Sequence, residues 1–416
     1  MTSPRFIPDA FSTLFVISIM LFSSSKAALA FASLPEILIF VFLFFFFLKS
    51  TAKQAQVKRS PYYGLLFLFA VIMAAGLVKA FFSGSYSIEG FKHLFRLFEY
   101  LAIFFLTIQL VTDKPGIKKV LSSFLLMGIL VGSNAILQKV LGPKVTGALQ
   151  PWGPEWVEQY TSSTFRVYSF FDNPIYLGIF AVMWLGLAGT LLYHYSQKIT
   201  ARFLLALISL LALATMILTG SRAALAGSMA VVLLIVFIRF SLKKILPVFL
   251  LAAVLVFFIP KIAPLVQGFY SHHETNITQR YLAYQSALHM IKDNPLLGIG
   301  VGNYRDIYYR DYKLPAASDD PVTFTAENNF LETGAQTGIF GLLIYISFFG
   351  LCFKNLYFVY KNSADAFLRS LGLGIGISLT GLLVASLFAT VNTVPLNMIL
   401  WLFFGLGESL KNLAAP

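Results

Sequence analysis

Arg222, Arg280 and Glu327 are the residues whose type and placement best suit chemistry in this chain. Arg222 follows Thr219-Gly220-Ser221 and opens an apolar stretch, which puts a cation at a helix N-terminus. That is the unfavourable sign, because the free N–H groups there already favour anions. An arginine at that point is expected to share a negative ligand with the helix end; interfacial anchoring is the alternative. Arg280 sits in the first turn of a helix expected over 279–292, with Tyr281, Tyr284, Leu288 and Ile291 on one stripe and an end before Asn294-Pro295. Glu327-Asn328 precedes another apolar stretch, where a carboxylate can take a proton from a hydroxyl or the two residues can cap the helix. Glu332 and Asp306 are weaker candidates for the base. Two guanidinium forks could bind an oxyanion bidentately.

Other motifs point away from metals and nucleotides. His272, His273 and His289 have no zinc-site spacing, and the single cysteine, Cys352, lies in an apolar stretch, so neither a metal site nor a disulfide framework is expected. GIGVGNY at 298–304 lacks the Lys-Ser/Thr of a phosphate loop and follows no strand. Its glycines read as tight turns.

The elements that must position these groups are membrane helices. At 58% hydrophobic and 12% charged residues, with 43 Phe in 416 positions, the chain is far too apolar for a soluble domain. A hydrocarbon core of about 30 Å takes roughly 20 apolar residues per helix. Stretches at 8–24, 31–48, 63–82, 93–111, 119–139, 173–193, 202–219, 222–239, 244–261, 338–358, 368–389 and 395–410 meet that need. The expected fold is an all-α polytopic membrane protein of about 12 transmembrane helices, with a large, partly helical periplasmic loop between the ninth and tenth. The chain divides into spans within 1–139, an outer loop at 140–172, spans within 173–261, the large loop at 262–337, and spans within 338–416. Lys and Arg collect in the short loops at 49–59, 114–119, 239–244 and 354–369, which places both termini in the cytoplasm. The net charge of +13 is therefore a topology signal rather than a nucleic-acid footprint. The first span is read as retained, with no signal cleavage.

Three further cations draw notice. Lys92 and Arg96 share a helix face with Glu99 near the outer boundary; they either snorkel, with an Arg96–Glu99 pair, or hold an anionic lipid head group. Arg166, after a Ser/Thr run, is open to a structural or an anion-binding role. Trp152 and Trp156 read as interfacial anchors, while Asn173 and Pro174 read as the cap and first residue of a helix.

TGSRAALAG, the arginine helix running into DNPLLGIGVGNY, ENNFLETGAQTGIFGLL, and RVYSFFDNPIYLG in the first outer loop together resemble the O-antigen ligase and polymerase superfamily. The resemblance implies a bacterial inner-membrane glycosyltransferase with a periplasmic site. Its reaction would be inverting and independent of metals and cofactors, moving a glycan from an undecaprenyl-diphosphate carrier to a hydroxyl of lipid A–core or of a second glycan. It places the family's essential arginines on Arg222 and Arg280. The family's usual His-Asn falls on Glu327-Asn328, a departure that leaves a carboxylate to do the work of an imidazole. Substrate contacts are expected from Arg166, Asn328, Arg96 and Lys92, with membrane lipids as surroundings and no nucleic-acid partner. Ligase and polymerase share this donor chemistry and are not separated by the sequence. A transporter is the competing class, but no internal repeat supports one.

Overall fold

The computed structural model describes residues 6–16, 34–51, 57–85, 87–142, 166–195, 197–239, 274–317, 325–391 and 393–415. The tryptophans at 152 and 156, the span expected at 244–261, residues 17–24 of the one at 8–24, and His272 and His273 lie outside them. Among the described residues every regular element is a helix. This follows from the composition, since backbone N–H and C=O groups in lipid must be paired within their own segment.

The long helices are α1 (Leu34–Thr51), α2 (Tyr62–Phe82), α3 (Ile88–Leu110), α4 (Lys114–Leu141), α5 (Pro174–His194), α6 (Ile199–Thr219), α7 (Arg222–Arg239), α8 (Glu274–Asp293), α9 (Asn329–Asn362), α10 (Ala366–Ser386) and α11 (Val394–Ala414). Seven of them, α2 to α6, α9 and α10, are long and apolar enough to cross a membrane; Glu36–Leu48 in α1 and Arg222–Ile238 in α7 are shorter apolar stretches. The protein is thus a multi-pass membrane protein, with seven such helices among the described residues against the twelve spans expected. The stretch at 395–410 lies within α11, which keeps Glu408 and Lys411 near its end and is buried almost throughout.

Helices α5 and α11 form the interior. α5 packs against α6, α7 and α10, and α11 against α3 and α9. The crossing of α7 and α10 is close because both contribute glycine: a Cβ on Gly227 would press on the Gly381 carbonyl. On α1, Phe40, Phe44, Phe45 and Phe47 stay exposed while Ile39, Phe42 and Phe46 turn inward, as a lipid-facing helix requires.

Helix ends follow local chemistry. Asn173 Oδ1 accepts from Ile175 N (2.8 Å) with Pro174 as the first helical residue. Gly220 closes α6 in the left-handed conformation (φ 58°), and Ser221 Oγ accepts from Ala224 N (3.2 Å) to start α7, so the two residues make the whole turn. Helix α9 breaks at Gly338 (φ 69°, ψ −175°). The break releases the carbonyls of Ala335 and Gln336, which accept instead from Ile299 N (2.9 Å) and Gly300 N (3.1 Å). Gln336 Oε1 also accepts from Gly302 N (2.8 Å). The glycine loop is therefore a set of left-handed turns at φ 68°, 88° and 79° that docks the large loop onto the kink. A side chain at Gly302 would collide with the backbone of Glu89 and Gly90 at the start of α3.

Side-chain surroundings add to two of these readings. The buried face of α8 is Ala283, Ser286, Ala287 and Met290, while Tyr281 and Leu288 are 60% and 52% exposed. Small residues face inward because α8 lies directly on α9. Lys92, Arg96 and Glu99 share a helix face but meet different neighbours. Lys92 pairs with Glu89 (2.5 Å), Arg96 lines a cavity between α2, α3, α9 and α11, and Glu99 turns into an apolar groove between α1, α2 and α3. No ion pair joins Arg96 to Glu99, whose Oε2 has no hydrogen-bond partner among the described residues.

Candidate functional site

The chemistry-bearing groups gather where the large loop meets the ends of α10 and α6. Helix α10 stops at Ser386, three residues before the apolar stretch ends, and the turn that follows, with Leu387 N on the Val384 carbonyl (3.2 Å) and Phe388 N on the Ala385 carbonyl (3.0 Å), leaves the Leu387 and Phe388 carbonyls in need of donors. The side chains of α8 and of the turn before α9 fill that need. Arg280 Nη1 donates to the Phe388 carbonyl (3.0 Å). Tyr284 Oη donates to the Leu387 carbonyl (3.0 Å) and the Glu327 carbonyl (3.3 Å), and Asn328 Nδ2 donates to the Leu387 carbonyl (3.1 Å). A cation there also meets the negative end of the α10 dipole.

Arg280 then reaches Glu327, with Nη2 3.3 Å from Oε2, and the two side chains are 23% and 12% exposed. Glu327 has φ 48°, a left-handed backbone for a residue with a side chain. Such conformations cost of order 1–3 kcal/mol and persist only where neighbours enforce them. Here Glu327 N donates to Thr325 Oγ1, and that hydroxyl donates to Glu327 Oε1, each at 3.3 Å. Burial pushes the Glu327 carboxyl above the usual carboxylate range, against the opposing pull of Arg280 and of the Thr325 hydroxyl. The result is a carboxylate that is paired, yet more proton-hungry than an exposed glutamate.

Glu332 is the brace for this turn. It is 6% exposed; its Oε2 accepts from Ala326 N (3.1 Å) and Thr390 Oγ1 (2.8 Å), and its Oε1 from Gln336 Nε2 (3.1 Å). Those bonds tie the residue before Glu327 to the α10–α11 connection. Asn329 adds a parallel tie, its Oδ1 accepting from Val391 N (3.0 Å). Asn328 is the N-cap of α9, with Oδ1 accepting from Phe330 N (2.9 Å) and Leu331 N (3.1 Å). Asn328→Ala should therefore lower stability by about 1 kcal/mol, read as a reduced midpoint of thermal unfolding in detergent.

Arg222 is an exposed side chain at the head of α7. Arg166 lies beside that turn, its Nε donating to the Thr219 carbonyl (2.7 Å). Its segment is held from α4: Gln138 Oε1 accepts from Tyr168 N (2.9 Å) and Ser169 N (3.0 Å). Tyr176, one turn into α5, is within electrostatic reach of Glu332, Glu327 and Asp172, and Gly178 beside it packs on Thr219, Ser221 and Ala224. The arginine turn and the Glu327 corner thus flank the same end of α5. Asp306 belongs to a separate short helix, Tyr304–Ile307. Lys92, paired with Glu89, stands apart from the corner, and Arg96 lines a cavity on whose wall Asn329 and Glu332 also lie.

The sequence reading passed over Thr390, the carbonyls of Leu387 and Phe388, and Tyr176. One signal was present: ATVNTVP at 389–395 is a polar interruption between two apolar stretches, in a place where a plain hairpin would have sufficed.

The O-antigen ligase family model matches residues 207–346, a stretch holding Arg222, Arg280, Glu327, Asn328 and Glu332. The chain is also 23% identical over 358 residues to the teichuronic acid biosynthesis protein TuaE of Bacillus subtilis (strain 168), covering 82% of this chain and 70% of that one. The family resemblance read from the sequence motifs is borne out over the matched residues.

Proposed function

Residues 207–346 carry the pattern of the O-antigen ligase family, and from that premise we propose that the protein is a membrane glycosyltransferase of the ligase type. It moves a glycan from an undecaprenyl-diphosphate carrier to an acceptor hydroxyl at the periplasmic face of the inner membrane, with inversion and without a metal. The reading rests above all on the Arg280–Glu327 pair at the outer corner, which sets an anion-binding group beside a buried base. Arg222 and Arg280 hold the diphosphate and stabilise the charge that develops on it as the glycosyl bond breaks. Arg166 supports the donor beside the Thr219–Arg222 turn, and Glu327 takes the proton of the attacking hydroxyl.

The pairing couples the two roles. Arg280 holds the Glu327 carboxyl down while burial pushes it up. A diphosphate that draws the guanidinium away leaves burial opposed only by the Thr325 hydroxyl, so arrival of the donor makes Glu327 the stronger base.

The second reading is a polymerase, which uses the same donor with another lipid-linked glycan as acceptor. It is as compatible as the ligase with a relative named for teichuronic acid biosynthesis. The deciding experiment supplies purified protein with lipid-linked glycan and either lipid A–core or a second lipid-linked glycan. Extension of the first supports the ligase and of the second the polymerase; transport of glycan into sealed vesicles with no new glycosidic bond would refute both. Chelation makes a further check. Since the described residues hold no group of three His, Cys, Asp or Glu able to share a metal ion, EDTA is expected to leave turnover unchanged. Inhibition reversed by Mg²⁺ or Mn²⁺ would expose a missing metal site.

A further inference from the structure

Behind the Glu327 corner, on the inner side of the 329–337 helix, lies a cavity of about 130 Å³ between α2, α3, α9 and α11. That is several times the roughly 30 Å³ share of one water, enough for a single small ring and not for a chain. Its walls are of two kinds. Phe69, Tyr100, Phe348 and Trp401 supply aromatic surface, and Arg96 supplies a cationic edge from α3 with the His93 ring beside it. Most other polar groups on the wall are already engaged. Glu332 accepts from Ala326 N, Thr390 and Gln336, Asn329 bridges Val391 N and Tyr345 Oη, and Gln336 accepts from Gly302 N.

Arg96 is the exception. It lies two turns into a candidate membrane span, is partly buried, and makes no hydrogen bond or ion pair among the described residues, the Glu89 and Glu99 carboxyls acting on it only at longer range. A guanidinium at that depth is costly unless an anion meets it. From these observations we propose that the cavity is a subsite for one acidic sugar of the glycan, with the sugar carboxylate on Arg96 and the ring against Trp401 and Tyr100. The proposal rests on the glycan-transferring reading above for its biological meaning, but not for its chemistry.

Charge count selects a carboxylate over the carrier's diphosphate. Glu332 on the same wall is already held by three donors, so the Arg96 guanidinium is left to balance one carboxylate, whereas a diphosphate would bring further buried charge with no cation to meet it. The shared wall gives the subsite its use: Asn329, Glu332 and Thr333 line the cavity and follow directly on Glu327, so a sugar held there lies beside the reacting corner.

The test uses the full-length protein in phosphatidylcholine nanodiscs, with binding read by tryptophan fluorescence and the Trp401→Phe variant identifying the reporting side chain. Methyl glucuronide should bind and methyl glucoside should bind far more weakly. Arg96→Gln should weaken the glucuronide by roughly 10- to 100-fold, as loss of a charge-assisted pair requires. Arg96→Lys should fall between, because it keeps the charge and loses the fork. Undecaprenyl diphosphate should bind all three proteins alike, which also certifies that the variants are folded. Equal binding of glucuronide and glucoside, or no binding of either, overturns the proposal. So does an Arg96→Gln variant that loses undecaprenyl diphosphate instead, which would assign the cavity to the carrier. If the glucuronide binds as stated but no glycan is transferred in any assay, the subsite stands and the transferase reading fails.

Discussion

Arg280→Ala is expected to reduce transfer by at least roughly 10²–10³, the usual cost of removing one donor aimed at a developing oxyanion, while the protein stays inserted and folded. Two losses combine in this variant. The guanidinium no longer meets the diphosphate, and Glu327 loses the cation 3.3 Å from its carboxylate. With burial then opposed only by the Thr325 hydroxyl, Glu327 holds its proton to higher pH, so the acid limb of the kcat/KM profile should move up as well. Arg280→Lys should restore the charge but little of the rate, since an ammonium cannot serve the Phe388 carbonyl and an anion in one plane. The measurement is transfer from lipid-linked donor across a pH series, beside a melting curve for each variant. A folded alanine variant with near-normal turnover would remove Arg280 from the clamp.

Glu327→Gln is the second large effect, a fall of roughly 10²–10⁴ in turnover with donor binding little changed. The comparison is clean at the backbone, because glutamine and glutamate bear the same strain at φ 48°. The sign of the pH dependence follows from the raised pKa. The base must be deprotonated, so wild-type activity drops as pH falls through a value above the usual carboxylate range, and the Gln variant should lack that limb. Glu327→His introduces the imidazole that the family resemblance implies at this position. It should retain part of the activity, with the limb near the imidazole's ordinary pKa of about 6.5. An active, pH-indifferent Gln variant would falsify the base assignment.

What the sequence determined by itself was local or compositional. Lipid-grade composition forces helices, and short-range capping and turn chemistry sets their ends at Asn173-Pro174, at Gly220-Ser221 and in the glycine turns at 298–302. Partners brought from far along the chain were decided only by the tertiary structure. Arg280 meets Glu327 because α8 lies on α9 and because α10 ends at Ser386, leaving carbonyls that hold Arg280, Tyr284 and Asn328 in place. Glu332 read as a spare base, yet burial and three donors make it the brace of the turn. Lys92, Arg96 and Glu99 share a helix face by spacing, but their neighbours differ: Glu89 beside the first, a polar cavity beside the second, an apolar groove beside the third. Periodicity states only the direction in which a side chain leaves its own helix. What waits there depends on which helices pack alongside, and that is settled by close approach at residues such as Gly227, Gly302 and Gly381, whose small size carries no label of its partner.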